Sequence, residues 1–173
     1  MKKEIILAFE QGKIQAICGF PGIGKSYLAN KHPMQFQDCF YSKCRYFNRA
    51  ISALEKPEYP MNWINRVKDA VKNGKIVVVG CNPDSRAILN SLGLNYLLVY
   101  PPISDKSRYF HIYDTRNDEV DCIDLNKNRF DSYIEYLQNE KVHEGSFKEE
   151  LPPGWTLSQY MEFVLYDIMK LEP

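Results

Sequence analysis

Gly19-Phe20-Pro21-Gly22-Ile23-Gly24-Lys25-Ser26 sets three glycines, a lysine and a hydroxyl at the spacing GxxxxGK[ST]. Residue types in that order cradle a polyphosphate. Gly19, Gly22 and Gly24 let the backbone curl so that successive N–H groups point inward. Lys25 reaches the outer phosphates and Ser26 offers its hydroxyl to Mg²⁺. Pro21, Ile23 and Tyr27 are expected to belong to the same nucleotide-binding site, the last on the first turn of the helix behind the loop.

Asp38 lies past Ser26, near the end of a β-prone run from Met34 to Cys39. In a parallel sheet the carboxyl ends of the strands face the ligand crevice. A carboxylate there is placed to hold Mg²⁺, to position an acceptor, or to take the proton of an attacking hydroxyl. The usual second acid would close the run Ile76-Val77-Val78-Val79, but that run ends in Gly80-Cys81-Asn82, with no acid before Asp84. Asp38 is therefore the first metal candidate and Asp84 the second. Arg86, on the helix opened by Asn82-Pro83, is a candidate partner for an acceptor's phosphate or carboxylate. Arg108 and Arg116 follow the Leu-rich run at 96–100, where a lid would sit. Lid arginines answer the charge that spreads over a transferring phosphoryl group. Tyr109 and Tyr113, on the same stretch, read as packing residues.

Periodicity supplies the elements that must hold these groups. Residues 2–11 repeat apolar positions at helical spacing, and Lys13 to Cys18 is a β-prone run leading into the glycine loop. A helix over 24–31 follows and His32-Pro33 closes it. Trp63, Val67, Ala70 and Val71 share one helical face, so a helix is expected over 60–73. The unbroken run 76–79 reads as a strand covered on both faces. Asn82 caps the next helix with Pro83 at its first position, Gly93 ends it, and Tyr96 to Tyr100 forms a further strand. Strands alternating with helices define an α/β chain with a parallel sheet. Residues 104–142 are polar and helix-prone, with charges at Lys106, Arg108, Arg116, Lys127 and Arg129. Residues 143–154 read as a loop, and a last helix is expected over 156–170.

At 173 residues the chain is the length of one domain. Lys plus Arg and Asp plus Glu are both 22, a balance that argues against a nucleic-acid coat protein or an electrostatic membrane binder. Cys18, Cys39, Cys44, Cys81 and Cys122 form no CxxC pair and no metal pattern with the three histidines. An odd cysteine count fits a reducing cytosol, and no apolar run reaches membrane-spanning length. A cytoplasmic protein with no membrane partner is expected.

On these residues the chain resembles the small P-loop kinases of the adenylate kinase and nucleoside/nucleotide kinase class. It is more closely similar to short P-loop proteins common in bacteriophages and Gram-positive bacteria. The closer likeness rests on the Gly19–Ser26 loop and on Asp38-Cys39-Phe40-Tyr41-Ser42, where that group carries Asp-Ser-Asp-Ser. It also rests on Tyr59 to Ile64 and Leu97 to Pro101, with Arg86 between them and Arg116-Asn117 after them. The likeness spans about residues 13–140, and Phe40 stands in place of the second acid. It implies a P-loop NTPase three-layer sandwich in one domain, 1–173, with a helical lid at about 103–120. It further implies ATP, Mg²⁺ and phosphoryl transfer to a nucleoside, a nucleotide or another small hydroxyl compound. Two alternatives stand beside that reading. One is a nucleotide-binding regulator with slow or no hydrolysis, which the missing strand-end acid favours. The other is a nucleic-acid 5′-end kinase, which the zero net charge disfavours and for which Lys43, Arg45 and Arg49 form a candidate basic patch.

Overall fold

Residues 2–39, 44–48, 52–115 and 120–169 are described by the computed structural model of the chain. Alternating periodicities produce strands β1 (Ile14–Gly19) and β2 (Phe36–Asp38), separated by helix α2 (Lys25–Lys31), with helix α1 (Lys2–Glu10) ahead of them. Two short strands, β3 (Tyr46–Asn48) and β4 (Ser52–Glu55), precede helix α3 (Met61–Lys72). Strand β5 (Ile76–Gly80), helix α4 (Pro83–Ser91) and strand β6 (Asn95–Tyr100) continue the alternation. Then come three helices, α5 (Lys106–Thr115), α6 (Val120–Asn128) and α7 (Phe130–Asn139), a strand β7 (Phe147–Glu150) and helix α8 (Leu157–Met169).

Five strands form one parallel sheet in the order β2-β5-β1-β6-β7. Counting only those five in chain order, the sheet runs 2-3-1-4-5. The α/β alternation read between residues 13 and 100 is borne out. β5 is the buried run expected of a strand covered on both faces, with Val77, Val78 and Val79 at 1% exposure or less. α3 packs on β5, α4 on β6 and α1 on β1, while α8 packs on α1 and α2. The register sets the site. Gly19 stands level with Gly80 of β5 and Val99 of β6, so the glycine loop leaves the sheet beside the end of β5.

Two elements differ from the sequence reading. Within the loop expected at 143–154, Phe147-Lys148-Glu149-Glu150 forms the edge strand β7, in register with Leu97 to Tyr100 of β6. Its charges serve the contact with α7: Lys148 Nζ donates to the carbonyls of Gln138 (2.6 Å) and Glu140 (2.8 Å), and Gln138 Nε2 donates to Glu150 Oε2 (3.0 Å). The other difference is the antiparallel ribbon β3–β4, which is short and carries a register shift and so shows no clean alternation.

Cys18, Cys39 and Cys81 are buried free thiols, and Cys44 is a half-buried free thiol. Cys122 lies outside the described side chains. Burial pushes the Cys18 and Cys81 thiols up and Cys39 up to about 11, which leaves little reactive thiolate at neutral pH. In the native protein an alkylating reagent is therefore expected to modify Cys44 well before Cys18, Cys39 or Cys81. Peptide mass mapping after a timed pulse checks the order. Equal rates at Cys44 and Cys18 would contradict it. No helix among the described residues is long and apolar enough to cross a membrane.

Candidate functional site

The glycine loop closes because its neighbours leave no room for side chains. A Cβ on Gly19 would lie 2.9 Å from Ile23 Cγ2 and 3.0 Å from Lys25 Cγ, and one on Gly22 would lie 2.9 Å from Tyr113 Cε1. Gly22 (φ 81°) and Gly24 (φ 99°) also adopt left-handed backbone that side chains disfavour. Hydrogen bonds stitch the loop to both flanking strands: Phe20 N–H donates to Val99 O (3.0 Å) and Cys81 N–H to Gly19 O (3.2 Å). From α5, Tyr113 donates its hydroxyl to Pro21 O (3.0 Å). Tyr109 and Tyr113 are buried, as packing residues should be. Lys25 folds back over the loop and donates to Gly19 O (2.9 Å) and Phe20 O (2.8 Å).

Asp38 ends β2 beside the first turn of α2. Ser26 Oγ donates to Asp38 Oδ2 at 2.5 Å, so the two residues singled out for a metal are in direct contact. Arg66 Nη2 donates to the Asp38 carbonyl (3.0 Å) and Trp63 Nε1 to the Cys39 carbonyl (3.0 Å). The end of β2 is thereby fixed by α3. Among the described residues no cluster of three or more His, Cys, Asp or Glu side chains could hold a metal ion.

A cleft of about 460 Å³ opens beside the loop. One wall is Gly19, Phe20, Pro21 and Lys25, and the second is Gly80 to Pro83 at the end of β5 and the start of α4. The third wall comes from the polar, helix-prone stretch: Leu125 and Asn126 of α6, then Arg129, Ser132, Tyr133 and Tyr136. Sequence reading assigned this third wall no role. Its signal was present as spacing, since 129, 132, 133 and 136 fall at i, i+3, i+4 and i+7, one face of a helix. Tyr133 is locked in place, donating its hydroxyl to Cys81 O (3.1 Å) with Cys81 Sγ 3.2 Å away. Its ring stacks on Tyr136 with centroids 6.1 Å apart, and Tyr136 donates to Glu140 Oε1 (2.9 Å). Burial pushes the Tyr133 phenol far up, so it stays a donor.

Arg86 and Arg108 lie on the helices expected to carry them, and both guanidinium groups have partners within the chain. Arg86 is 3% exposed and turned inward: Nε donates to Cys81 O (3.1 Å) and Nη1 pairs with Glu140. Burial alone would weaken its charge, but the Glu140 hydrogen bond and charge outweigh that and hold it protonated. Arg86, the candidate for an acceptor's phosphate or carboxylate, is thus engaged in an internal ion pair. Arg108 Nη1 donates to Asp105 Oδ2 (3.2 Å) and Trp155 O (3.1 Å), which ties the start of α5 to the turn before α8. Asp84, the second metal candidate, is exposed and faces Arg45 Nη1 at 3.4 Å. Arg116 lies outside the described residues, as do Lys43 and Arg49. No protein-family model matches the chain, and no curated protein matches it.

Proposed function

We propose that this protein is an ATP-dependent phosphotransferase of the P-loop kinase type. The observation that carries the reading is the convergence of three strand ends. The phosphate loop leaves β1, Asp38 ends β2 in contact with Ser26, and a cleft with Lys25 in its lining lies between the loop and the end of β5. The strand order 2-3-1-4-5 and the helices flanking the sheet support a three-layer P-loop fold, with α5 to α7 as the lid region. Lysine, loop amides and hydroxyl suit a nucleoside triphosphate.

Ser26 and Asp38 offer hard oxygens, a donor set that suits Mg²⁺, which takes one or two protein oxygens and fills its shell with water and phosphate. When bound there, Mg²⁺ supplies positive charge to the phosphate oxygens. The chain's own residues do the rest. Lys25 leaves its two loop carbonyls for the phosphates. The rigid loop holds the phosphates in line with the cleft, and the tyrosine wall keeps water from the acceptor. Positioning and charge neutralisation carry most of the catalysis in such transfers. A small compound with a free hydroxyl is the acceptor class that the cleft volume admits.

The test is single-turnover transfer from labelled ATP to a panel of nucleosides, nucleotides and polyols, with Mg²⁺ and without. A labelled acceptor that forms only with Mg²⁺ is the expected result, and no labelled product with any acceptor would overturn it. In the same assay Asp38→Asn is expected to lower turnover about 10²-fold or more while ATP still binds, because the amide keeps the shape and loses the charge. A second reading, a nucleotide-binding regulator, draws on one observation: β5 ends at Gly80, and no carboxylate is among the described residues that line the cleft. ATP binding with no transfer to any acceptor selects it.

A further inference from the structure

We infer that Arg129 binds a phosphoryl group lying in the cleft between the phosphate loop and α7. The inference rests on the phosphate-loop reading above and adds a residue to it. Charge is the first ground. Among the described residues, the lining of the cleft includes two cations, Lys25 and Arg129, and no carboxylate. A lining of that charge attracts an anion.

Freedom of the guanidinium is the second ground. Five arginines lie among the described residues. Arg45 pairs with Glu55 and Asp84, Arg66 donates to the Asp38 carbonyl, Arg86 pairs with Glu140, and Arg108 is held by Asp105 and Trp155. Arg129 is exposed, and its side chain makes no ion pair among the described residues. It is the one of the five that both lines the cleft and keeps its planar donor fork available. A fork of that geometry matches phosphate oxygens two at a time.

The third ground is a fixed position. Arg129 sits at the junction of α6 and α7, its N–H donating to Leu125 O (3.2 Å) and its carbonyl accepting from Tyr133 N–H (2.8 Å). The next residue, Phe130, is fully buried and packs edge-on against Phe20 of the phosphate loop, ring centroids 5.5 Å apart. Loop and arginine are therefore coupled through one aromatic contact. The side chain is exposed and its base is anchored, as a contact made on ligand binding requires.

The phosphoryl group has two sources, the outermost phosphate of the nucleotide or a phosphate on the acceptor, and calorimetric titration separates them. Wild type, Arg129→Ala, Arg129→Lys and Lys25→Ala are titrated with ATP, ADP, inorganic triphosphate and nucleoside monophosphates, all with Mg²⁺. Arg129→Ala is expected to keep the wild-type melting temperature and to lose about tenfold or more in affinity for a phosphate ligand. Arg129→Lys recovers only part of the loss, since a point charge replaces the fork. Loss on ATP and triphosphate with ADP unchanged assigns the outermost phosphate. Loss on a monophosphate assigns the acceptor's. Unchanged affinity for all four ligands, in a protein whose ATP binding Lys25→Ala abolishes, overturns the inference and leaves the proposed function standing. A wild type that binds none of them overturns both.

Discussion

Lys25→Ala is expected to abolish Mg²⁺-nucleotide binding and to reduce any turnover by at least about 10²-fold, the scale seen when one preorganised charge-stabilising donor is removed. The fold should survive. Lys25 Nζ bonds two loop carbonyls, those of Gly19 and Phe20, while the strands and rings beneath them stay packed whatever the side chain. Lys25→Arg should fail as well, because the carbonyls converge on a compact ammonium and a planar fork does not fit there. Equilibrium titration with ATP and a thermal melt on each variant check both halves of the expectation. Wild-type ATP affinity in Lys25→Ala would refute the phosphate-loop assignment.

The largest loss of stability is expected from Glu140→Ala. Its carboxylate is the counter-charge of Arg86, which is 3% exposed. Removing one member of such a pair leaves the other buried and uncompensated, at about 3–5 kcal/mol. That is a large share of the roughly 5–15 kcal/mol by which a domain is stable. Urea denaturation gives the number directly. Replacing both partners with apolar side chains, Arg86→Met with Glu140→Leu, should restore much of the loss, since no charge is then stranded. A Glu140→Ala midpoint equal to wild type would show that the pair does not hold α4 to the end of α7. The same variant also removes the acceptor of the Tyr136 hydroxyl, so the aromatic wall of the cleft should loosen with it.

The central half of the fold was legible because its signals are local. β1, the glycine loop and α2 are contiguous, and β5 announces itself through four β-branched residues with no polar break. Asn82 was readable as a cap because its partner is three residues away, the Ser85 N–H at 2.8 Å. β7 was hidden because its charged side chains spend their polarity on α7 rather than on water. Arg86 misled for a related reason. A cation on the first turn of a helix at the crevice looks available until its partner, Glu140, 54 residues away, is brought against it. Arg129 is the opposite case: in sequence it is one more charge on a polar helix, and the topology sets it on the cleft that Lys25 also lines. Sequence displays the chemistry a residue owns, and only the packing shows which residues have already used theirs.

Trp63 and Trp155 are the only two tryptophans in the chain, and their placement makes the unlabelled protein its own optical reporter. Trp63 is wholly shielded from solvent, with its indole N–H on the carbonyl of Cys39, the residue after Asp38. Its emission should be blue-shifted and sensitive to whatever occupies the Ser26–Asp38 pair. Trp155 is partly exposed, lies edge-on to Phe163, and lends its carbonyl to Arg108 at the root of α5. A polar quencher reaches it first. One fluorophore therefore watches the Ser26–Asp38 end of the crevice and the other the root of α5, and quenching separates their signals without a dye or a mutation.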